Sequence, residues 1–230
     1  MKLLIISAGP GIEEIRLEHG HAIEWISSFI DSSSVSIDVK HVYQDEDFSE
    51  SNYDAWIITG SAASVTEQLP WIQLLKHKII YAHKNSIPIL GICFGHQIIS
   101  LALGGEVVKN PKGWELGSYK IEINDDGILN PLFKEVDFND YFYFSHEDVV
   151  SKLPDSALEL ARNNMGLQAF SIEDKIFGVQ FHPEFSPEIM SRYVEVRYQK
   201  GIIDKFSSIF ESKSSYQVIL NFINIAKEIS

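Results

Sequence analysis

Three short apolar runs and one alternating run in the first hundred residues restrict the fold of this chain more than any other feature. LLIIS (3–7), AWIITG (55–60) and ILGIC (89–93) have strand length and almost no polar residue, which suits strands covered on both faces. SIDVKHVY (36–43) alternates with period two. Between these runs lie helix-forming stretches. Residues 18–30 place Ile23, Ile26, Phe29 and Ile30 at helical spacing, and residues 71–84 read as a second helix. His96 to Leu103 continue as a helix that Gly104 and Gly105 stop. Strands alternating with helices in this order predict a parallel sheet with helices on both sides.

After residue 105 the rhythm changes. GEVVKN, SYKIEI, YFYFSH, LELARN, LQAFSI and IFGVQFH are strand-like runs separated by turn residues, the pattern of an antiparallel extension. From Pro187 the pattern is helical again, and QVILNFINIAKEI (217–229) is amphipathic, with Val218, Ile219, Phe222, Ile223, Ile225 and Ile229 expected to close a face of the chain's own sheet. No linker, repeat or low-complexity tract divides the sequence. One domain over 1–230 is expected, with 201–230 as a C-terminal helical extension.

Charge and cysteine content narrow the function. The net charge of −13, from 19 basic and 32 acidic residues, argues against a nucleic-acid or anionic-membrane surface. A single cysteine allows no internal disulfide and no cysteine-based zinc cage, so a reducing compartment is expected. Met1-Lys2 leads straight into LLIIS, too short for a signal peptide, and no apolar run approaches the roughly 20 residues of a membrane helix. These features together predict a cytoplasmic protein.

The lone cysteine, Cys93, sits in GICFG, where an apolar strand meets a helix. In a doubly wound sheet, ligands bind outside the carboxyl ends of the strands. A sharp turn there exposes a nucleophile, flanking glycines relieve crowding, and the helix N-terminus favours thiolate over thiol. The pentapeptide is equally compatible with a small buried cysteine that only packs. A thiolate needs a proton shuttle, and histidine is the usual one near neutral pH. His19, His21, His41, His77 and His83 lack a distinctive context and read as packing residues; His96 reads as structural and His146 as stabilising a loop-like SHED segment. His182 differs. FGVQFHPEF places it at the carboxyl end of a buried strand, Pro183 fixes the turn, and Glu184 returns where its carboxylate can orient the imidazole. GPGIEE (9–14) lacks the third glycine of a dinucleotide fingerprint and reads as a plain turn, and the DEDFSE run (45–50) as a solvated loop rather than a metal site.

GICFGHQ followed 89 residues later (182 − 93) by GVQFHPEF resembles the class I glutamine amidotransferases. The likeness runs over nearly the whole chain. IITGSAASV (57–65) is similar to the family's glycine loop, GWELGSYKI (113–121) to its E-x-G turn, and FSHEDVVSKLPDSALELAR (144–162) to its S-H-x-D segment. Within the family, the stand-alone relatives of the GMP synthase amidotransferase domain are the nearest in pattern. The resemblance implies a doubly wound, mostly parallel, flavodoxin-like α/β sheet with an antiparallel extension and C-terminal helices. It also implies roles: Cys93 attacks the side-chain amide of glutamine or another γ-glutamyl group, His182 moves the proton and Glu184 holds the imidazole. Backbone N–H groups of Phe94 and of the Gly60–Ser61 loop meet the oxyanion, each worth about 3 kcal/mol. Gln97 and the segment Ser145, His146 and Glu147 hold the amino-acid end of the substrate. Ser61 and Ala62 stand where many members have glycine and proline, so the hole depends on the Ser61 backbone reaching the required dihedrals.

The resemblance calls for no metal or cofactor. It implies a small-molecule substrate, and one arrangement passes ammonia to a synthetase partner. Three functions stay open at this level: a glutaminase-type hydrolase, a γ-glutamyl peptidase with the same thioester chemistry, and a non-catalytic binding protein. Whether the pocket beyond the scissile bond is closed, or open to a second amino acid, separates the first two.

Overall fold

A computed structural model describes residues 1–204 and 208–229. Its first half follows the alternation of the sequence: β1 (Lys2–Ser7), α1 (Glu13–His19), α2 (Ala22–Ser28), β2 (Ser36–His41), β3 (Ala55–Ile58), α3 (Pro70–Lys84), β4 (Ile89–Ile92) and α4 (Phe94–Ala102). There follow β5 (Glu106–Lys109), β6 (Glu115–Tyr119), β7 (Glu122–Ile123), α5 (Asp125–Leu129), β8 (Phe142–His146), β9 (Asp148–Lys152), β10 (Ala157–Asn163), β11 (Gly166–Ile172) and β12 (Ile176–Val179). Two helices, α6 (Pro187–Gln199) and α7 (Gln217–Ile229), close the chain.

Eight strands form the main sheet in the order β2-β1-β3-β4-β12-β11-β10-β7. The five from β2 to β12 are parallel and the remainder antiparallel, as expected for a doubly wound sheet with an antiparallel extension. Two ribbons, β5 with β9 and β6 with β8, stand apart from it. Because side chains alternate along a strand, β1 feeds two cores. Leu3 and Ile5 pack with Ile57, Leu90 and Phe177 under α7, whereas Leu4 and Ile6 pack with Trp56 and Ile58 under α3 and α4. The apolar face of α7 does cover its own sheet: Val218 and Phe222 are fully buried, and each such side chain stabilises by about 1.5–3 kcal/mol.

The structure departs from the sequence reading in four places. The helix expected over 18–30 is broken at Gly20, which ends α1 at φ 82°. His21 then starts α2: its Nδ1 accepts from Ile23 N–H, and Glu24 returns to the His21 N–H at 2.9 Å. SYKIEI divides between β6 and β7. The SHED segment is not a loop, since His146 ends β8 and Asp148 begins β9. Within the 201–230 extension only α7 is helical among the described residues; residues 205–207 and 230 lie outside them. Asp140 holds the approach to α7, accepting from the N–H groups of Lys213 at 2.7 Å and Ser214 at 2.6 Å.

Candidate active site

Cys93 links β4 to α4 with φ 52° and ψ −100°, a strained conformation for a residue with a side chain. Its N–H donates to Val179 O at 2.9 Å and its carbonyl accepts from Gln97 N–H at 3.1 Å, so strand pairing fixes one side and the helix the other. Neither flanking glycine has positive φ. Their role is close approach: a Cβ at Gly91 would lie 2.4 Å from the Gly95 carbonyl, and one at Gly95 would lie 2.4 Å from Ile58 O. The glycines thus seat α4 hard against β3 and β4, and the strain falls on the cysteine itself. Phe94 N–H, in the first turn of α4, has no acceptor within the helix.

β12 brings His182 to this turn. Ile92 pairs with Val179, so the chain leaving β12 runs beside the chain leaving β4, and His182 N–H is tied to Tyr143 O at 2.8 Å. His182 Nδ1 lies 2.8 Å from Glu184 Oε1, with both side chains buried, and Cys93 lies close enough to the ring for its charge to act on the imidazole. Nε2 is the ring nitrogen left for the sulfur. Phe185 stacks on the imidazole at 4.1 Å, and Trp25 meets Phe185 edge-on at 5.5 Å. Burial alone would lower the His182 pKa, but the charges of Glu184 and Cys93 and the hydrogen bond to Glu184 reverse this and push it up to about 10. Imidazolium is therefore the favoured form near neutral pH. His96, by contrast, is fully buried beside the Phe170 ring, and burial pushes its pKa down to about 3. It stays neutral and structural.

The loop after β3 completes the turn's surroundings. A Cβ at Gly60 would lie 3.0 Å from His182 Cε1 and 3.7 Å from Cys93 Cβ. Thr59 Oγ1 accepts from Ala8 N–H at 3.0 Å and donates to Gly60 O at 3.1 Å, tying this loop to the one after β1. Ser61 turns its hydroxyl to Ala63 N–H at 3.1 Å, and its own N–H makes no hydrogen bond among the described residues.

Cys93 lies between two cavities. On one side are Gln97, Trp114, Ser145, His146 and Glu147, all but Trp114 read from the sequence as substrate-binding. Gln97 Nε2 donates to Asp148 O at 2.9 Å and to Gln180 Oε1 at 3.0 Å, which leaves its carbonyl oxygen to accept from a ligand. His146 turns its side chain away from solvent: Nε2 meets Glu115 Oε2 at 2.9 Å and Nδ1 meets Asp148 O at 2.9 Å. Glu115 also accepts from Asn163 at 2.6 Å and Gln168 at 2.9 Å, so the E-x-G turn and the SHED segment share one buried network. The arrangement replaces the loop-stabilising part expected of His146 with a cross-strand pair, since Glu115 and His146 are direct partners between β6 and β8.

The second cavity lies on the His182 side, and no motif in the sequence points to it. Its walls come from Gly9, Pro10 and Gly11, from Arg16 on α1, and from Trp25, Phe185 and Tyr193. The GPG turn is thus part of the cleft. Among the described residues no cluster of three or more His, Cys, Asp or Glu side chains is placed to hold a metal ion, and no helix is long and apolar enough to cross a membrane.

Comparisons with known proteins agree with this geometry. The family model for glutamine amidotransferase class-I matches residues 23–197. A glutamine amidotransferase-like protein of Schizosaccharomyces pombe is 30% identical over 213 residues, covering 84% of this chain and 83% of that one. Gamma-glutamyl peptidase 4 of Arabidopsis thaliana is 34% identical over 60% of this chain and 56% of its own length. A glutamine-hydrolyzing GMP synthase subunit of Sulfurisphaera tokodaii is 40% identical over 58% of this chain and 68% of its own. A glutamine amidotransferase structure from Thermotoga maritima shares the fold with a TM-score of 0.73 at 22% identity, covering 100% of this chain and 93% of that one.

Proposed function

We propose, from the premise that this chain belongs to the class I glutamine amidotransferase family, that it hydrolyses a γ-glutamyl amide bond through a thioester on Cys93. The observation that carries the reading is the placing of Cys93 beside a buried imidazole held by Glu184, so close that a Cβ at Gly60 would lie 3.0 Å from His182 Cε1 and 3.7 Å from Cys93 Cβ. The thiolate attacks the amide carbon, and the carbonyl oxygen takes the negative charge. Phe94 and Ser61 N–H groups receive that oxyanion; neither is spent on another bond in its own element. As the tetrahedral species collapses, the C–N bond breaks and imidazolium gives its proton to the leaving nitrogen. Water then attacks the thioester, His182 takes a proton from it, and γ-carboxylate leaves with the thiolate restored.

The γ-glutamyl end occupies the Gln97 side. The Gln97 carbonyl accepts from the substrate ammonium, and Glu147 lies in the same wall. The backbone of Ser145, His146 and Glu147 contributes the remaining contacts, held in place by the buried bond from His146 to Glu115. A second reading, in which the chain supplies ammonia to a separate synthetase, is favoured by the likeness to the Sulfurisphaera tokodaii GMP synthase subunit.

Purified protein, tested without any partner, should release ammonia from glutamine or amine from γ-glutamyl compounds. Intact-mass analysis during turnover should find one γ-glutamyl group on Cys93, absent from Cys93→Ala. Silence across a broad γ-glutamyl panel, with activity appearing only when a synthetase is added, would favour the ammonia-supplying reading instead.

A further inference from the structure

The cavity on the His182 side has more room than ammonia needs, and its walls carry a charge that ammonia cannot use. During collapse of the tetrahedral species, imidazolium must reach the leaving nitrogen, so whatever that nitrogen carries projects to the His182 side of Cys93. The cavity volume there is about 50 Å³, and the cavity opens to solvent. Ile12, Ile15 and Trp25 supply apolar wall, and Arg16 is the only lysine or arginine in the lining.

Arg16 has no ion pair and no side-chain hydrogen bond among the described residues, although it shares α1 with three glutamates. Two of them are engaged outward: Glu14 meets Lys200 at 3.1 Å and Glu18 meets Arg192 at 2.8 Å. Glu184, the one carboxylate in the cavity wall, is held by His182. Burial keeps His21, beside Arg16, below its ordinary pKa, so it adds no second charge at neutral pH. A chain of net charge −13 thus keeps one uncommitted, half-buried cation in its cleft, on the side where the leaving group departs.

We infer that this cavity is a leaving-group subsite for an amine that bears a carboxylate, an α-amino acid or short peptide, with Arg16 receiving the carboxylate. The inference rests on the hydrolase reading above and specifies its substrate class: γ-glutamyl amino acids and peptides rather than glutamine alone. A guanidinium presents paired N–H donors that match a carboxylate, whereas ammonia has no group for it to grip.

The test crosses two changes. Wild type and Arg16→Gln are assayed on γ-glutamyl-glycine, on γ-glutamyl-glycinamide, which lacks the carboxylate, and on glutamine. Wild type should favour the free carboxylate over the amide at least tenfold in kcat/KM, mostly through KM. In Arg16→Gln that preference should collapse towards one, and the ratio of γ-glutamyl-glycine to glutamine turnover should fall at least tenfold; Arg16→Lys should retain part of both. Wild type indifferent to amidation, or an Arg16→Gln loss equal on all three substrates, would overturn the assignment. Turnover of glutamine alone would remove this inference and leave the hydrolase reading standing. Inactivity on every substrate would remove both.

Discussion

Replacing Glu184 with glutamine keeps the size of the side chain and lets its amide oxygen accept from His182 Nδ1, but removes the negative charge. In the native site, burial works against the charged ring, and Glu184 and Cys93 together overcome it and carry the pKa from 6.5 to about 10. At about 1.4 kcal/mol per pKa unit, the site favours imidazolium by about 5 kcal/mol more than water does. Breaking a buried charged pair by removing one partner costs about 3–5 kcal/mol, so most of that preference should go with the charge. The sign follows directly. His182 holds its proton below its pKa, and the leaving amine needs that proton. In wild type, kcat/KM should hold level towards pH 10 and fall above it. In Glu184→Gln the alkaline fall should come at least about two pH units lower, and the plateau should drop about 100-fold. Steady-state rates on a γ-glutamyl substrate, measured from mildly acidic to strongly alkaline pH, would give both. An alkaline limb that stays in place, or a wild-type rate in the variant, would refute the claim that Glu184 sets the charge of His182.

Two further outcomes can be checked. Gly60→Ala puts a methyl 3.0 Å from His182 Cε1, so the imidazole must shift by a few tenths of an ångström; kcat should fall about tenfold with KM little changed, and an unaffected kcat would remove the loop from the reacting centre. His96, whose pKa burial lowers to about 3, stays neutral in the folded protein while the unfolded chain takes up a proton below about 6.5, so stability is lost as pH falls through that window. His96→Asn should flatten the dependence of unfolding free energy on pH between about 6 and 4 by close to one proton and leave turnover at neutral pH within several-fold; equal slopes would sink the argument.

Cys93, His182 and Glu184 could be found in the sequence because each lies within a few residues of the feature that positions it, a glycine-flanked strand end or a proline turn. The parallel strands could be found for a related reason: a strand buried on both faces has no room for polar residues. The break at Gly20 was hidden because histidine is an unusual helix cap, and the Ile23, Ile26 and Phe29 spacing lies wholly beyond it and gives no sign of it. β9 was hidden by the acidic residues at its start. The Glu115–His146 pair spans 31 residues and becomes visible only once β6 and β8 are in register. Arg16, Trp25 and Tyr193 carry no local sign of the cleft at all. They reach it through the pairing of β1 with β3 and the packing of α6 on α1, both of which are properties of the assembled sheet.

The pairing of β4 with β12 also bears on how the chain is made. β4 is ILGI, with no charge and no proline, and until β12 arrives its far side is an open edge of the kind that recruits other chains. β12 lies more than eighty residues further on, so β4 must wait for most of the chain before that edge is covered, and such distant pairings are slow to form. The strand that delivers His182 is therefore also the one that seals the sheet. A chain cut short before residue 176 would lose its histidine and its protection from aggregation together.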